Sequence, residues 1–241
     1  QALYRVDFEV RRGEVMALVG DNGAGKSTLV KCMVGIYPFD EGQVHFEGEP
    51  VHIHGPRDAA RLGIEVVYQD LALADNLDVT ANMFLGRERT HRGLVLDESS
   101  MEHTAQETLE SLSVTTLGSV RQTVAGLSGG QRQAVAVAKS VMWNSKLMIL
   151  DEPTAALGVV QTRQVLDLVR RLAGRDLGVV IISHNLHDVF EVADRITVLR
   201  LGQRVAVLDR AETTQQEVVH AITAGTLDHV PGMADLEASD T

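Results

Sequence analysis

Residues Gly20-Asp21-Asn22-Gly23-Ala24-Gly25-Lys26-Ser27 set two glycines, Gly20 and Gly25, around four residues and follow them with a lysine and a hydroxyl. A loop of this kind can turn its main-chain N–H groups toward phosphate oxygens, because glycine places no Cβ in the way. Lys26 supplies a cation for the β and γ phosphates, Ser27 an oxygen for magnesium, and Thr28 extends the phosphate-facing segment. The loop falls between the continuous apolar run Val15 to Val19 and a helical stretch from Lys26 to Gly35, so a helix N-terminus adds positive partial charge at the same place. A plain glycine-rich turn is the alternative; the strand before and the helix after argue against it.

A second chemical signal is Leu147-Met148-Ile149-Leu150-Asp151-Glu152, an apolar strand ending in two carboxylates. Strand ends at the carboxyl edge of a parallel sheet are where ligands bind in α/β folds. Asp151 suits hydrated magnesium, and Glu152, one residue on, suits accepting a proton from an attacking water. The bland alternative is a solvated acidic turn. Together the two motifs point to a nucleoside-triphosphate site, with a kinase, a GTPase and a motor all still open.

Leu127-Ser128-Gly129-Gly130-Gln131 narrows the choice. Ser128 can cap a helix beginning near Gln131, and the two glycines expose backbone donors, which makes a second anion site at a helix N-terminus. This segment resembles the signature sequence of ATP-binding cassette (ABC) proteins, and the resemblance covers nearly the whole chain. It implies a magnesium-dependent ATPase acting as a head-to-tail dimer, in which the signature of one cassette (Ser128, Gly129, Gly130, Gln131) covers the γ-phosphate held by the phosphate loop of the other. It further implies that Gln69 senses magnesium beside Ser27 and Asp151. His184, at the end of the strand Val179 to Ser183, is implied as a donor to the γ-phosphate, so that Glu152 and His184 form the catalytic pair. A helix cap at Ser128 and structural roles for Gln69 and His184 are the plainer readings. His187, His52 and His54 lack carboxylate or cysteine partners at ligand spacing, and no metal site is expected there.

The phosphate loop, Asp151-Glu152-Pro153-Thr154-Ala155-Ala156-Leu157-Gly158 and Ile182-Ser183-His184-Asn185 are similar to the corresponding runs of bacterial monosaccharide importers of the ribose, xylose and fructose type. That resemblance implies transmembrane permease partners, an external solute-binding protein acting indirectly, and a cytoplasmic location on the inner face of the membrane. It places permease docking on Asp70 to Phe84 and leaves sugar selectivity to other subunits. Two departures stand out. Gly158 occupies a position where many cassettes carry an aspartate that helps the protomers communicate. The aromatic that normally stacks on adenine, some two dozen residues before the phosphate loop, would precede Gln1, and Tyr4 lies too close to the loop to replace it. The chain opens at Gln1 inside a strand pattern without an initiator Met, so an upstream segment is expected.

The elements needed to hold these residues can be read from the apolar spacing. Strand patterns occur at Leu3 to Val10, Val15 to Val19, Ile64 to Tyr68, Leu147 to Leu150 and Val179 to Ser183, with two short strands around Gly48 between Gln43 and Ile53. Helical signals dominate from about Leu77 to Trp143 and return from about Val159 to Ala173. Strands alternating with helices predict an α/β fold with a mostly parallel sheet. With the resemblance, this becomes a RecA-like phosphate-loop NTPase core with a small antiparallel β portion and an inserted helical subdomain carrying the signature. The nucleotide-binding domain is expected over 1–225, and an acidic, mobile tail over 226–241.

Bulk composition agrees and excludes some classes. The 241 residues are 44% hydrophobic and 23% charged, and no apolar run approaches the ~18 residues of a membrane span. The single cysteine, Cys32, cannot form an internal disulfide and fits a reducing compartment. A formal charge of -11 opposes a broad nucleic-acid footprint. That charge, the single cassette and the lack of a coiled-coil insertion disfavour the main rival, a soluble cassette acting on nucleic acid or ribosomes. A purely regulatory nucleotide-binding module is disfavoured by Glu152 and His184.

Overall fold

The computed structural model describes residues 2–91, 95–114 and 116–225. Its centre is a six-stranded sheet in the order β10-β9-β1-β8-β7-β4, built from β1 (Val15–Gly20), β4 (Ile64–Val67), β7 (Leu147–Asp151), β8 (Gly178–Ile182), β9 (Arg195–Arg200) and β10 (Gln203–Asp209). Five strands run parallel, and β10 closes one edge antiparallel to β9. Parallel strands need covering on both faces, and β1, β7 and β8 are accordingly apolar, β7 up to the Asp151 that ends it.

The alternation of side chains along each strand divides the core in two. Val15, Ala17, Val19, Met148, Leu150, Val179 and Ile181 point to one face, and Leu18, Ile149, Val180 and Ile182 to the other. The first face receives α5 (Gly129–Val141) and α6 (Val159–Ala173), through residues such as Val135, Val137, Leu166 and Val169. The second receives α1 (Lys26–Met33) through Leu29 and Val30, and α2 (Pro56–Leu62) through Ala59. A one-residue slip in any central strand would exchange these sets, so the register is strongly specified.

The expected short strands around Gly48 form the antiparallel pair β2 (Val44–Phe46) and β3 (Glu49–Val51). Their turn residues Glu47 and Gly48 both have positive φ, 54° and 85°, the conformation whose twist matches a two-residue hairpin. The expected strand from Leu3 to Val10 is absent. Leu3, Val6, Phe8 and Val10 do pack on the second core face, but the segment pairs with no strand among the described residues. It is held by isolated bonds such as Tyr4 N–H to Gly202 O, 2.8 Å, and Arg204 Nη1 to Asp7 O, 3.1 Å. Alternating apolar residues secured partial burial of this segment without supplying a ladder partner.

Between residues 77 and 143 three helices dominate: α3 (Val79–Phe84), α4 (Glu98–Ser111) and α5. They are interrupted by a minimal antiparallel pair, β5 (Thr90–His91) with β6 (Val95–Leu96), and by a 3-10 turn at Val124–Gly126. The chain ends its described part with α7 (Leu186–Val192) and α8 (Gln215–Ala224). The segment 226–241, expected to be a mobile tail, lies outside the described residues. Among the described residues no helix is long and apolar enough to cross a membrane.

Candidate nucleotide site

Because β1, β4, β7 and β8 run in the same direction, their carboxyl ends share one sheet edge. Leu18 and Asp151 both stand level with Ile182, and Val67 level with Leu150. This register brings Gly20, Gln69, Asp151, Glu152 and His184 to the same rim, although the sequence separates the first from the last by most of the fold.

The phosphate loop leaves β1 at Gly20, whose φ is 150° and where a Cβ would lie 2.2 Å from the carbonyl oxygen of Leu199. Only glycine lets β9 stay this close. Gly23 and Gly25 also have positive φ, 80° and 105°, and Gly25 sits at the N-cap of α1. Among the described residues the main-chain N–H groups of Gly25, Lys26 and Ser27 meet no carbonyl, so donors at a helix N-terminus stand ready for an anion. Asp21, Asn22, Gly23 and Ser27 are exposed, Ala24 is buried, and Gly25, Lys26 and Thr28 are half-buried. Lys26 curls back over the loop, donating to Gly20 O at 2.7 Å and Asp21 O at 3.0 Å. Burial pulls its pKa below the ordinary lysine value, while the charges of Glu152, Asp21 and Asp151 push the other way. The lysine therefore stands within the field of Asp151, which ends β7, and of Glu152, which follows it.

Those acids differ. Burial raises the Asp151 carboxyl, the neighbouring charge of Glu152 raises it further, and Lys26 and Lys31 pull it down. Lys31, on α1, carried no motif; only the packing of that helix on the sheet brings its charge to bear on Asp151. Glu152 is left-handed, φ 50°, an uncommon state for a residue with a Cβ. Its N–H donates to Ile182 O at 2.9 Å, which holds the turn to the end of β8. The Glu152 Oε2 atom lies 2.8 Å from His184 Nδ1, with the histidine side chain 75% exposed and the glutamate 17%. The expected acid and the expected histidine thus meet directly. Gln69 is exposed beyond β4, and its side chain makes no hydrogen bond among the described residues.

The exposed Ser27 hydroxyl, the Asp151 carboxyl at the end of β7 and the exposed Gln69 amide are oxygen groups at one rim, a donor set suited to magnesium.

Ser128 and Gln131 lie elsewhere, at the start of α5. They form a complete capping box: Gln131 N–H donates to Ser128 Oγ at 3.3 Å, and Ser128 N–H donates to Gln131 Oε1 at 2.9 Å. No hydrogen bond among the described residues joins this turn to the phosphate loop. Instead the two glycines permit close approach to the segment after β7: a Cβ on Gly129 would fall 2.7 Å from Leu157 Cδ2, and one on Gly130 3.0 Å from Gln161. Gly158, the position lacking the common aspartate, is the N-cap of α6 and offers no side-chain acceptor. Tyr4 lies with Ala2, Leu3 and Leu201–Gln203 around a cavity of about 340 Å³, and Leu3 reaches Gly25, so this recess borders the phosphate loop.

Comparison with known proteins agrees with this geometry. The family model described as ABC transporter matches residues 3–155. A fructose import ATP-binding protein of Rhizobium meliloti is 46% identical over 228 residues, covering 92% of this chain and 88% of that protein. A xylose/arabinose import ATP-binding protein of Sulfolobus acidocaldarius is 45% identical over 230 residues, covering 95% and 91%. A ribose import ATP-binding protein of Yersinia pestis is 40% identical over 227 residues, which are 94% of this chain but 44% of that longer protein. Among solved structures, a nucleotide-free ATP-binding cassette from an ABC transporter superposes with a TM-score of 0.77 at 27% identity, covering 86% and 85% of the two chains. The ADP conformation of another cassette gives 0.77 at 26% identity over 92% and 88%. The chain belongs to the ABC transporter family, as an ATP-binding cassette of the kind whose activity is ATP hydrolysis.

Proposed function

We propose that this chain drives the import of a monosaccharide, hydrolysing ATP as one half of a head-to-tail cassette dimer attached to transmembrane permeases at the cytoplasmic face of the membrane. The observation that carries the catalytic part is the Glu152–His184 contact of 2.8 Å at the rim that also holds Lys26. The sugar assignment is supported by relatives named as fructose and xylose/arabinose import proteins that match at similar length.

In this reading the loop Gly20 to Ser27 cradles the triphosphate of ATP through the N–H groups of Gly25, Lys26 and Ser27 and through the Lys26 ammonium, and Thr28 extends that cradle. Glu152 takes the proton of the attacking water, and His184 donates to the γ-phosphate while holding the Glu152 carboxylate in place. Ser27, Gln69 and Asp151 would hold magnesium, which when bound offsets charge on the phosphate oxygens. Ser128, Gly129, Gly130 and Gln131 present the capped start of α5 to the γ-phosphate on the second cassette. The separation of that turn from the phosphate loop within one chain supports a dimeric site.

ATP would close the dimer and hydrolysis reopen it, and Asp70 to Phe84 would pass the motion to the permease. A solute-binding protein outside the membrane would contact the permease, not this chain. Reconstitution of the chain with its co-encoded permease and binding protein tests the proposal: ATP-dependent uptake of the sugar retained by the binding protein is expected. Turnover stimulated by nucleic acid or ribosomes, without permease, would overturn it.

A further inference from the structure

A second link joins the loop after β7 to the segment after β8, and it is buried. Thr154 Oγ1 donates to Asp188 Oδ2 at 2.7 Å across a sequence separation of 34 residues. Asp188 is 2% exposed and Thr154 9%. Burying a carboxylate is costly, and one hydroxyl is a modest partner for it, so the volume could have been filled more simply by apolar groups.

Position explains what the pair does. Thr154 lies two residues after Glu152 in a turn closed by Ala155 N–H to Glu152 O, 3.1 Å, and Leu157 N–H to Thr154 O, 3.2 Å. Asp188 lies four residues after His184 in the first turn of α7, whose N-cap Asn185 accepts from His187 N–H at 3.1 Å. The same two segments are therefore fastened at three levels: the main-chain bond from Glu152 to Ile182, the exposed Glu152–His184 contact, and the buried Thr154–Asp188 bond. The exposed contact has a histidine largely in solvent and a left-handed Glu152, neither of which fixes a distance alone.

We infer that Thr154 and Asp188 are positioning residues for hydrolysis: their buried hydrogen bond sets the spacing between the two turns and so holds Glu152 and His184 in reach of one another. The inference rests on the catalytic reading of Glu152 and His184. Neither Thr154 nor Asp188 is among the residues assigned to ATP.

The test uses the full chain, with turnover at saturating ATP and nucleotide affinity measured side by side. Thr154→Val keeps the shape and removes the donor. Its turnover should fall roughly 10- to 100-fold, the scale of a misplaced reacting group, with ATP affinity within about twofold. Thr154→Ser restores the donor and should recover turnover to within about threefold. In a Glu152→Gln background, Thr154→Val should add no further loss, since there is no base left to misplace.

Thr154→Ala provides the same readout if valine disturbs folding. Loss of ATP binding in step with turnover in both the valine and alanine variants would overturn the inference, because it assigns the pair a purely structural role. A fully active Thr154→Val beside an inactive Glu152→Gln would also overturn it while leaving the catalytic reading intact. Full turnover in Glu152→Gln would instead overturn the assignment of the base, and the inference with it.

Discussion

Glu152 and His184, 32 positions apart in sequence, meet at 2.8 Å because β7 and β8 are parallel neighbours whose ends are level at Asp151 and Ile182. The glutamate is the residue in the left-handed turn, and the histidine is the exposed partner. For Glu152→Gln, ATP affinity should be retained and turnover should fall ~10²-fold or more, the scale for removing a positioned base. By size-exclusion chromatography with ATP, the same variant should elute as a dimer and the nucleotide-free chain as a monomer. Retained turnover would remove Glu152 from its role.

Lys26→Ala should abolish tight ATP binding, because the side-chain cation of the phosphate loop is lost while the ligand keeps its charge. Calorimetry would show this, and the folded state should survive. The lysine's own contacts are to two exposed or half-buried carbonyls, Asp21 O and Gly20 O, which water can replace.

The two capping boxes among the described residues provide an internal control. Ser128–Gln131 begins α5, and Thr214–Glu217 begins α8. Ser128→Ala and Thr214→Ala should each lower stability by about 1 kcal/mol in chemical denaturation. Only Ser128→Ala should also reduce turnover, since only that turn is assigned to a nucleotide. Equal turnover in the two variants would reduce the signature serine to a helix cap.

Glu14 and Arg195 form a nearly buried ion pair, 8% and 16% exposed, with Arg195 Nη2 3.0 Å from Glu14 Oε2 and the Arg11 N–H 2.7 Å from the same oxygen. Burial alone pushes the Glu14 carboxyl up. The Arg195 hydrogen bond, the Arg11 amide and the two guanidinium charges outweigh it and hold the carboxyl below its ordinary 4.5. A depressed carboxyl contributes stability that is present above the ordinary value and lost as pH falls through the folded one. Arg195→Met should therefore cost about 3 kcal/mol at neutral pH by leaving a buried carboxylate unpaired. The gap between variant and wild type should narrow on acidification below the ordinary carboxylate range, and a pH-independent gap would show that packing alone is involved.

Gly20→Ala and Gly23→Ala separate crowding from backbone strain. Both positions have positive φ, but a Cβ at Gly23 meets nothing within 4 Å, whereas one at Gly20 would strike the Leu199 carbonyl, fixed in the sheet. Gly23→Ala should lose roughly 1–2 kcal/mol, the penalty for holding a Cβ in that region. Gly20→Ala should lose more, read as a lower melting temperature.

Local patterns were legible because their causes are local. Glycines at 20 and 25, the apolar run ending in Asp151-Glu152, and the helix over Val159–Ala173 could be read from spacing, and the helix appears with the same bounds. Pattern failed at Leu3 to Val10, where alternation gave partial burial without a strand. It also gave no account of β9 and β10, since Arg195 to Asp209 carries no chemical motif to draw attention and β9 takes its place from distant β1, with β10 folding back on β9.

The sequence by itself determined which residue types can meet a nucleotide, since phosphate binding follows from glycine-permitted backbone turns, a neighbouring cation and a helix start, all within a few residues. The tertiary structure alone decided which of them share one rim of the sheet. Parallel pairing of β1, β4, β7 and β8 carried Lys26, Gln69, Asp151, Glu152 and His184 to one rim, while the packing of α5 against α6 and Leu157 kept Ser128 apart from it. The central place of β1 arises from contacts between residues more than a hundred positions apart, such as Val15 with Val179 and Met16 with Arg195, and no local spacing encodes those.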